Sequence, residues 1–356
     1  MNDVKLSASR IKTAQGCSWK YWANYVLKLP QKGNDGSNRG TICHDIFETL
    51  GSHEYLDEYK NILDSGTVMG SEKISKTLLD HAKELGVDDE ENIELMDMMI
   101  MRGLLFDFFG DEDAKPTEAV SEKEFNIEIN EQGKKYKIRG FIDKLFLYSK
   151  EKRAVIRDFK TSKQLFKGKE ITDNLQDLMY CLAVKHLYPE YTDRDVEFVF
   201  LKFDLEKDLL GERGSGLLKM NKLSEDELDG FEYQLSGIQE YLEKFNKDDA
   251  KSNFAANQSY PSDGTFGGPL MCGKEGFKKS RGELVLNDQG EKIPNFICEH
   301  RKPMAYYVLL DANKKILSSE HEENKDKLIP DESKGQEVQK KFYDGCPHFF
   351  GNAFEL

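Results

Sequence analysis

Helical spacing dominates the N-terminal third of the chain. From Ser7 to about Gly110, apolar positions such as Ile42, Ile46, Phe47 and Leu50 recur at three- and four-residue intervals, which predicts amphipathic helices that bury one face. A methionine run (Met96, Met98, Met99, Met101) between Leu95 and Phe109 reads as core, because flexible thioethers fill irregular gaps. Residues 111–118, charged and carrying Pro116, break the period and mark a linker.

Beyond it the period becomes two. Glu124–Ile129 alternates polar and apolar, Glu131-Gln132-Gly133 supplies a turn, and Tyr136–Asp143 returns as the second arm of a hairpin. Ala154–Lys160 is a third strand and Val196–Leu201 a fourth, separated by a helix over Asp173–Leu187 with Leu175, Leu178, Met179, Leu182 and Ala183 on one face. Residues 223–248 predict a polar amphipathic helix, and Asn253–Gly276, rich in Gly, Ser, Pro and Asn, an irregular stretch. The expected class is α+β, a mixed sheet flanked by helices. Three regions are expected: helical over 1–115, a core over 116–250, and an irregular, cysteine-bearing region over 251–356.

Composition narrows the class. With 51 Lys+Arg against 65 Asp+Glu, a formal charge of −14 and 38% hydrophobic residues, the chain of 356 residues reads as soluble and globular. No run approaches the roughly 18 apolar residues of a membrane span, and Met1-Asn2-Asp3-Val4-Lys5 lacks a secretory apolar run. A cytoplasmic protein with no membrane partner is expected. Six dispersed cysteines in such a chain favour metal binding or burial over disulfides. Global acidity leaves room for a local basic margin, which Lys152, Arg153, Arg157, Lys160, Lys163, Lys167 and Lys169 would form. Trp19, Tyr21, Trp22 and Tyr25 have the spacing of helix packing, although such rings also stack on unpaired bases.

Candidate chemistry gathers at the strand ends. Asp143 closes one strand, and Asp158-Phe159-Lys160 closes the next, with Asp158 and Lys160 on one face. Carboxylates on adjacent strands suit Mg²⁺ or Mn²⁺, and a neighbouring ammonium can orient water or offset phosphoryl charge, which points to phosphodiester hydrolysis. A single Asp at a strand end is more often a turn former, and a D-x-K triplet alone occurs by chance in many chains; the order and context raise the odds. Gly268–Glu275 mimics a phosphate-binding loop, but Glu275 replaces its hydroxyl and no strand precedes it, so an ATPase is not expected.

Taken in order, the motifs resemble the RecB-like branch of the PD-(D/E)xK nuclease superfamily. Ser7-Ala8-Ser9-Arg10-Ile11 and Cys17-Ser18-Trp19-Lys20-Tyr21 open the series, followed by Gly40 and His44. Gly140-Phe141-Ile142-Asp143, Asp158-Phe159-Lys160 and Gln176-Asp177-Leu178-Met179-Tyr180 complete it. The resemblance implies a restriction-endonuclease-like fold. It implies that His44, Asp143, Asp158 and the Phe159 carbonyl ligate Mg²⁺ or Mn²⁺, that Lys160 positions water, and that Gln176 and Tyr180 support Lys160 or contact the DNA backbone. Glu124 is a further candidate for a second metal. In a subset of the branch the opening cysteine joins three later ones on a 4Fe-4S cluster, which implies ligands Cys17, Cys272, Cys298 and Cys346, here spread along the C-terminal segment rather than compact. The pairs Cys298-Glu299-His300 and Cys346-Pro347-His348 leave zinc open as the alternative. The implied activity is metal-dependent cleavage of DNA, as an exonuclease acting on single strands or ends during replication, recombination or repair. A separate helicase or recombination protein would be its partner. The alternative is a catalytically idle DNA-binding or scaffolding member of the fold.

Overall fold

The structure, a computed structural model, describes residues 3–110, 114–131, 133–162, 165–166, 169–202, 216–253, 272, 276–280, 282–286, 290–295 and 297–348, with backbone alone at 169 and 280. Lys163, Lys167, most of the irregular stretch and all of the Gly268–Glu275 segment except Cys272 lie outside the described residues.

Helices come first: α1 (Ala8–Gly16), α2 (Ser18–Tyr21) with a π-helical turn at Trp22–Val26, α3 (Asp35–Leu50), α4 (Leu56–Ser65), α5 (Glu72–Leu85) and α6 (Glu90–Leu104). Strands β1 (Glu118–Glu131), β2 (Lys134–Tyr148) and β3 (Arg153–Lys160) follow, then α7 (Lys169–Thr172) and α8 (Leu175–Leu187). The chain continues through β4 (Asp193–Phe200), β5 (Leu217–Lys219), α9 (Glu225–Lys244) and α10 (Lys247–Ala250). Short β6 (Lys279–Ser280) and β7 (Glu283–Leu284) precede β8 (Met304–Leu310), β9 (Ile316–His321) and β10 (Glu337–Tyr343). Two compact units divide the chain: Asp3–Ala8 with Gly33–Glu240, and the described residues of Ser9–Lys32 with those of Tyr241–Leu356.

The first unit carries a five-stranded mixed sheet in the order β1-β2-β3-β4-β5. Its one parallel pair, β3 with β4, needs a long crossover, which α8 supplies; the other neighbours are antiparallel. The hairpin turn lies where the sequence places it, and Gly133 takes φ 81°, a left-handed conformation that suits glycine. Both arms are longer than their apolar alternation. They run from Glu118 and to Tyr148 because the outer residues still pair across the hairpin. The linker therefore ends before Glu118.

Helix α3 starts at a capping box in which Asn34 accepts from the Ser37 N–H and Ser37 answers the Asn34 N–H. Its inner stripe, Ile42, Ile46, Phe47 and Leu50, packs with Ile74, Leu78, Met96, Met99 and Ile100 of α5 and α6 in one core. Met98 departs from the expected stripe: it is 40% exposed, since it lies off the buried face that Met96 and Met99 share. Phe159 of β3 joins this core and stacks on Phe47 with ring centroids 4.4 Å apart, which pins α3 to the sheet. On α9, Glu232 is buried yet accepts from Tyr136 at 2.6 Å and Lys134 at 2.7 Å, so its charge is compensated.

The second unit holds more regular structure than its sequence suggests. Strands β8, β9 and β10 form an antiparallel sheet in the order β10-β8-β9. Its outer strands are polar because they are exposed, and such strands carry no apolar alternation to read.

Candidate active site

The placement of His44 depends on a glycine one helical turn earlier. A Cβ at Gly40 would lie 3.1 Å from Thr161 Oγ1, so the bare glycine lets α3 approach the end of β3. His44, on the same helix face, then puts Nδ1 3.4 Å from Asp143 Oδ2 and 3.9 Å from Glu122 Oε1. Ligand-type atoms of His44, Glu122 and Asp143 all lie within 4.8 Å of one another. The imidazole also bonds to the Phe159 backbone.

Glu122 is the residue that reading the sequence missed. The register pairs Ser121 with Lys144 and Lys123 with Ile142, and so places Glu122 opposite Asp143. Counting back from the Gln132-Gly133 turn would have reached it. Glu124, an outside candidate for a second metal as against an exposed strand position, is indeed exposed, stands opposite Phe141, and is not in this group. Glu122 has φ 46°, an uncommon conformation for a side-chain-bearing residue in a strand, and it sits where the carboxylate joins the group.

Asp158, Lys160, Gln176 and Tyr180 form a closed ring beside this group. Buried Asn174 caps α8 by accepting from the Gln176 and Asp177 N–H groups, which sets where the helix begins. Gln176 and Tyr180, four apart, then share one face. Gln176 Oε1 accepts from Lys160 Nζ at 2.7 Å, while Gln176 Nε2 donates to Asp158 Oδ2 at 2.7 Å and to the Tyr180 hydroxyl at 2.6 Å. Tyr180 donates to the same Asp158 oxygen at 2.7 Å. The other oxygen, Oδ1, forms an ion pair with Lys160 Nζ at 2.5 Å but accepts no aligned hydrogen bond, so this buried atom keeps an unused lone pair.

Like charges crowd the site. Burial and then the charge of Asp158 push the Asp143 carboxyl well above its usual range, against the Phe159 N–H that donates to it at 2.7 Å. Burial, then Glu48, Asp158 and Asp45, raise Glu122 to about 7. Burial lowers the His44 pKa, which keeps the ring neutral and able to donate a lone pair. A neutral imidazole among carboxylates that resist ionising together is the donor set a hard divalent cation relieves. The basic margin is weaker than the sequence suggests. Arg157 is buried against Glu197 at 2.6 Å, Arg153 pairs with Asp195 at 2.8 Å, and Lys160 faces Asp158.

The four expected cluster cysteines belong to the second unit. Cys17 Sγ accepts from the Lys20 N–H, and the Cys298 N–H donates to the Cys272 carbonyl at 3.1 Å. Arg301 donates to that same carbonyl at 3.2 Å and accepts from the Cys346 N–H at 3.4 Å. Burial pushes the Cys298 thiol up to about 11, with Cys272 and Cys17 adding to the shift. Tyr343 is raised by burial, with additions from Cys346, Cys298 and Cys17. Among the described residues no three cysteine sulfurs lie within 4.8 Å of one another. His300, from one of the expected Cys-x-His pairs, is buried and bonds Asn24 Oδ1 at 2.6 Å through Nε2. Cys43 and Cys181 are buried in the first unit, and burial pushes the Cys43 thiol up to about 12.

No helix among the described residues is long and apolar enough to cross a membrane. No curated protein matches the chain. Among solved structures it is similar to SSO0001, with 14% identity, 65% of this chain and 87% of that chain covered, and a TM-score of 0.23. It is also similar to protein VC1899 from Vibrio cholerae, with 12% identity, 67% and 58% covered, and a TM-score of 0.23. A profile of the PD-(D/E)XK nuclease superfamily matches residues 5–260, which span the helix bearing His44, the strands bearing Asp143 and Asp158, and α8. With its five-stranded mixed sheet flanked by helices in the restriction-endonuclease-like manner, the chain belongs to the PD-(D/E)XK nuclease superfamily.

Proposed function

We propose that the protein is a Mg²⁺- or Mn²⁺-dependent deoxyribonuclease of the RecB-like branch. It acts in the cytoplasm as an exonuclease on single strands or ends during replication, recombination or repair, alongside a separate helicase or recombination protein. The observation that carries this reading is the convergence of His44, Glu122 and Asp143 beside the Asp158-Lys160-Gln176-Tyr180 ring. His44, Asp143, Asp158 through its unused Oδ1, and the Phe159 carbonyl would hold the ion, with Glu122 as an added carboxylate. When bound, the ion supplies Lewis acidity toward a phosphoryl oxygen and lowers the pKa of water. Lys160, held by Gln176, orients the attacking water and offsets charge that builds on the phosphoryl group. Tyr180 and Gln176 keep Asp158 turned so that Oδ1 stays available. The presence of Asp143, Asp158 and Lys160 together favours catalysis over an idle scaffold.

The test incubates 5′- or 3′-labelled single- and double-stranded DNA with the protein in Mg²⁺, Mn²⁺ or EDTA. Metal-dependent shortening is expected, and Asp143→Ala, Asp158→Ala or Lys160→Ala should each abolish it with the fold intact. No cleavage by the wild type, or wild-type cleavage by any of the three variants, would refute the assignment.

Cys17, Cys272, Cys298 and Cys346 would hold a structural 4Fe-4S cluster. The reading rests on the sequence resemblance and on all four lying in one unit, while no three of the described sulfurs lie within 4.8 Å of one another. Anaerobically purified protein is expected to be brown, with Cys17→Ser losing the colour and Cys43→Ser and Cys181→Ser keeping it. Stoichiometric zinc instead would move attention to the Cys-x-His pairs.

A further inference from the structure

The second unit contains a cavity of about 430 Å³ lined by Trp19, Trp22, Lys247, Lys251, Phe342 and Tyr343, among others. Two of these aromatics are committed to the fold. Trp19 is buried and its indole N–H donates to the Tyr343 hydroxyl at 2.6 Å, while Tyr343 donates to the His300 carbonyl at 2.8 Å. The other two are less so. Trp22 is half-buried and its ring meets Phe245 with centroids 6.3 Å apart, but its indole N–H donates to no described residue. Phe342, on edge strand β10, is 67% exposed and makes no ring contact among the described residues.

The charge at the rim favours an anion. Lys247 is exposed and pairs with no carboxylate among the described residues, and Lys251 has only the distant Asp248 at 3.7 Å. Against these two ammoniums the lining offers one acid, Asp344. An open aromatic face costs solubility unless something covers it, and what suits an exposed ring and a half-buried indole beside two cations is a flat heterocycle attached to phosphate. The volume falls in the range of a single small-ligand site, roughly 300–1,000 Å³.

We propose that this cavity is a stacking site for one unpaired nucleotide of a DNA single strand, whose base packs against Trp22 and Phe342 and whose flanking phosphates meet Lys247 and Lys251. The choice of a DNA strand over other nucleotide sources rests on the proposed nuclease activity.

Trp19 and Trp22 are the only tryptophans in the sequence, and both line the cavity, so intrinsic tryptophan emission reports on this site alone. The full chain is titrated with oligo(dT) in EDTA, which holds cleavage off. Binding should quench the emission, and Phe342→Ala should weaken it roughly 10- to 100-fold, the usual loss for a stacking ring. Lys247→Ala should reduce the slope of log affinity against log salt by about 0.7, one phosphate contact on a single strand. Both substitutions are at exposed positions, and unchanged circular dichroism and melting would show that the fold survives. Oligo(dT) binding without a change in emission, or wild-type affinity in both variants, would overturn the proposal, leaving a protein partner as the occupant. Saturation by dTMP at the affinity of oligo(dT) would overturn it in favour of a free nucleotide. Quenching that depends on Phe342 in a protein that cuts no DNA with Mg²⁺ or Mn²⁺ would uphold the cavity and refute the reaction. Cleavage with no such quenching would do the reverse.

Discussion

Adding one methyl group at Gly140, the glycine three residues before Asp143, should couple packing to the active site. A Cβ built there lies 2.5 Å from Phe125 Cζ and 2.8 Å from Cε1, on the residue directly opposite across the hairpin. Phe125 shields the bare backbone of Gly140, an aromatic covering a strand glycine. The ring would have to retreat by about 1 Å to restore ordinary contact, but it is 2% exposed and meets Tyr180 edge-on at 6.4 Å. Tyr180 in turn donates to Asp158, so displacement there reaches a proposed metal ligand. Gly140→Ala should therefore destabilise by about 1–3 kcal/mol, the usual cost of overpacking, and slow cleavage as well. Gly140 is not among the glycines with positive φ, so alanine fits its backbone. In a Phe125→Ala background, itself costing about 3–5 kcal/mol, the same methyl should be neutral or stabilising by about 0.4–1 kcal/mol. Urea denaturation of the four proteins completes a double-mutant cycle. A Gly140→Ala protein as stable as the wild type, or strict additivity with Phe125→Ala, would refute the reasoning.

Glu122, raised to about 7 from 4.5, keeps a proton in the folded state that the unfolded chain has already lost, so metal-free stability should fall as pH rises from 4.5 to 7. The loss from Glu122 should be on the order of 2 kcal/mol after allowing for partial exposure, and Glu122→Gln should reduce the pH dependence while the raised Asp143 and Asp177 carboxyls keep a remainder; melts in EDTA across that window check this, and a flat wild-type curve would count against it. His44→Ala should raise the metal concentration needed for half-maximal cleavage by roughly tenfold or more, and an unchanged requirement would remove His44 from the ligand set. Tyr180→Phe, which deletes one bond to Asp158, should lower kcat by about tenfold with KM unchanged, and a change confined to KM would make Tyr180 a substrate contact instead.

What could be read from the residues was whatever periodicity writes directly. The hairpin, β3, α8 and the buried stripe of α3 all follow from apolar spacing, and the motif residues His44, Asp143, Asp158, Lys160, Gln176 and Tyr180 lie in the same unit and share one network of contacts. Glu122 escaped because Glu118-Ala119-Val120-Ser121 has no alternation strong enough to extend β1, and its left-handed φ has no signature in composition. The C-terminal sheet escaped for a related reason, since β9 and β10 are exposed and polar. Salt bridges escaped too. That Arg157 is spent on Glu197 depends on β3 lying parallel beside β4, a long-range pairing that neither local sequence reports.

Chain order around the site has a kinetic consequence. Glu122 and Asp143 face each other within one hairpin, and Asp158, Lys160, Gln176 and Tyr180 follow close behind along the chain, whereas His44 comes from α3, far upstream. Local pairs cost little loop-closure entropy and can form early; docking α3 closes a much larger loop. The proposed ion, held by His44 and Asp143 together, would gain its hold after that docking, so saturating Mn²⁺ should slow unfolding and leave the refolding rate nearly unchanged. Faster refolding in Mn²⁺ would instead place the docking of α3 before the rate-limiting barrier.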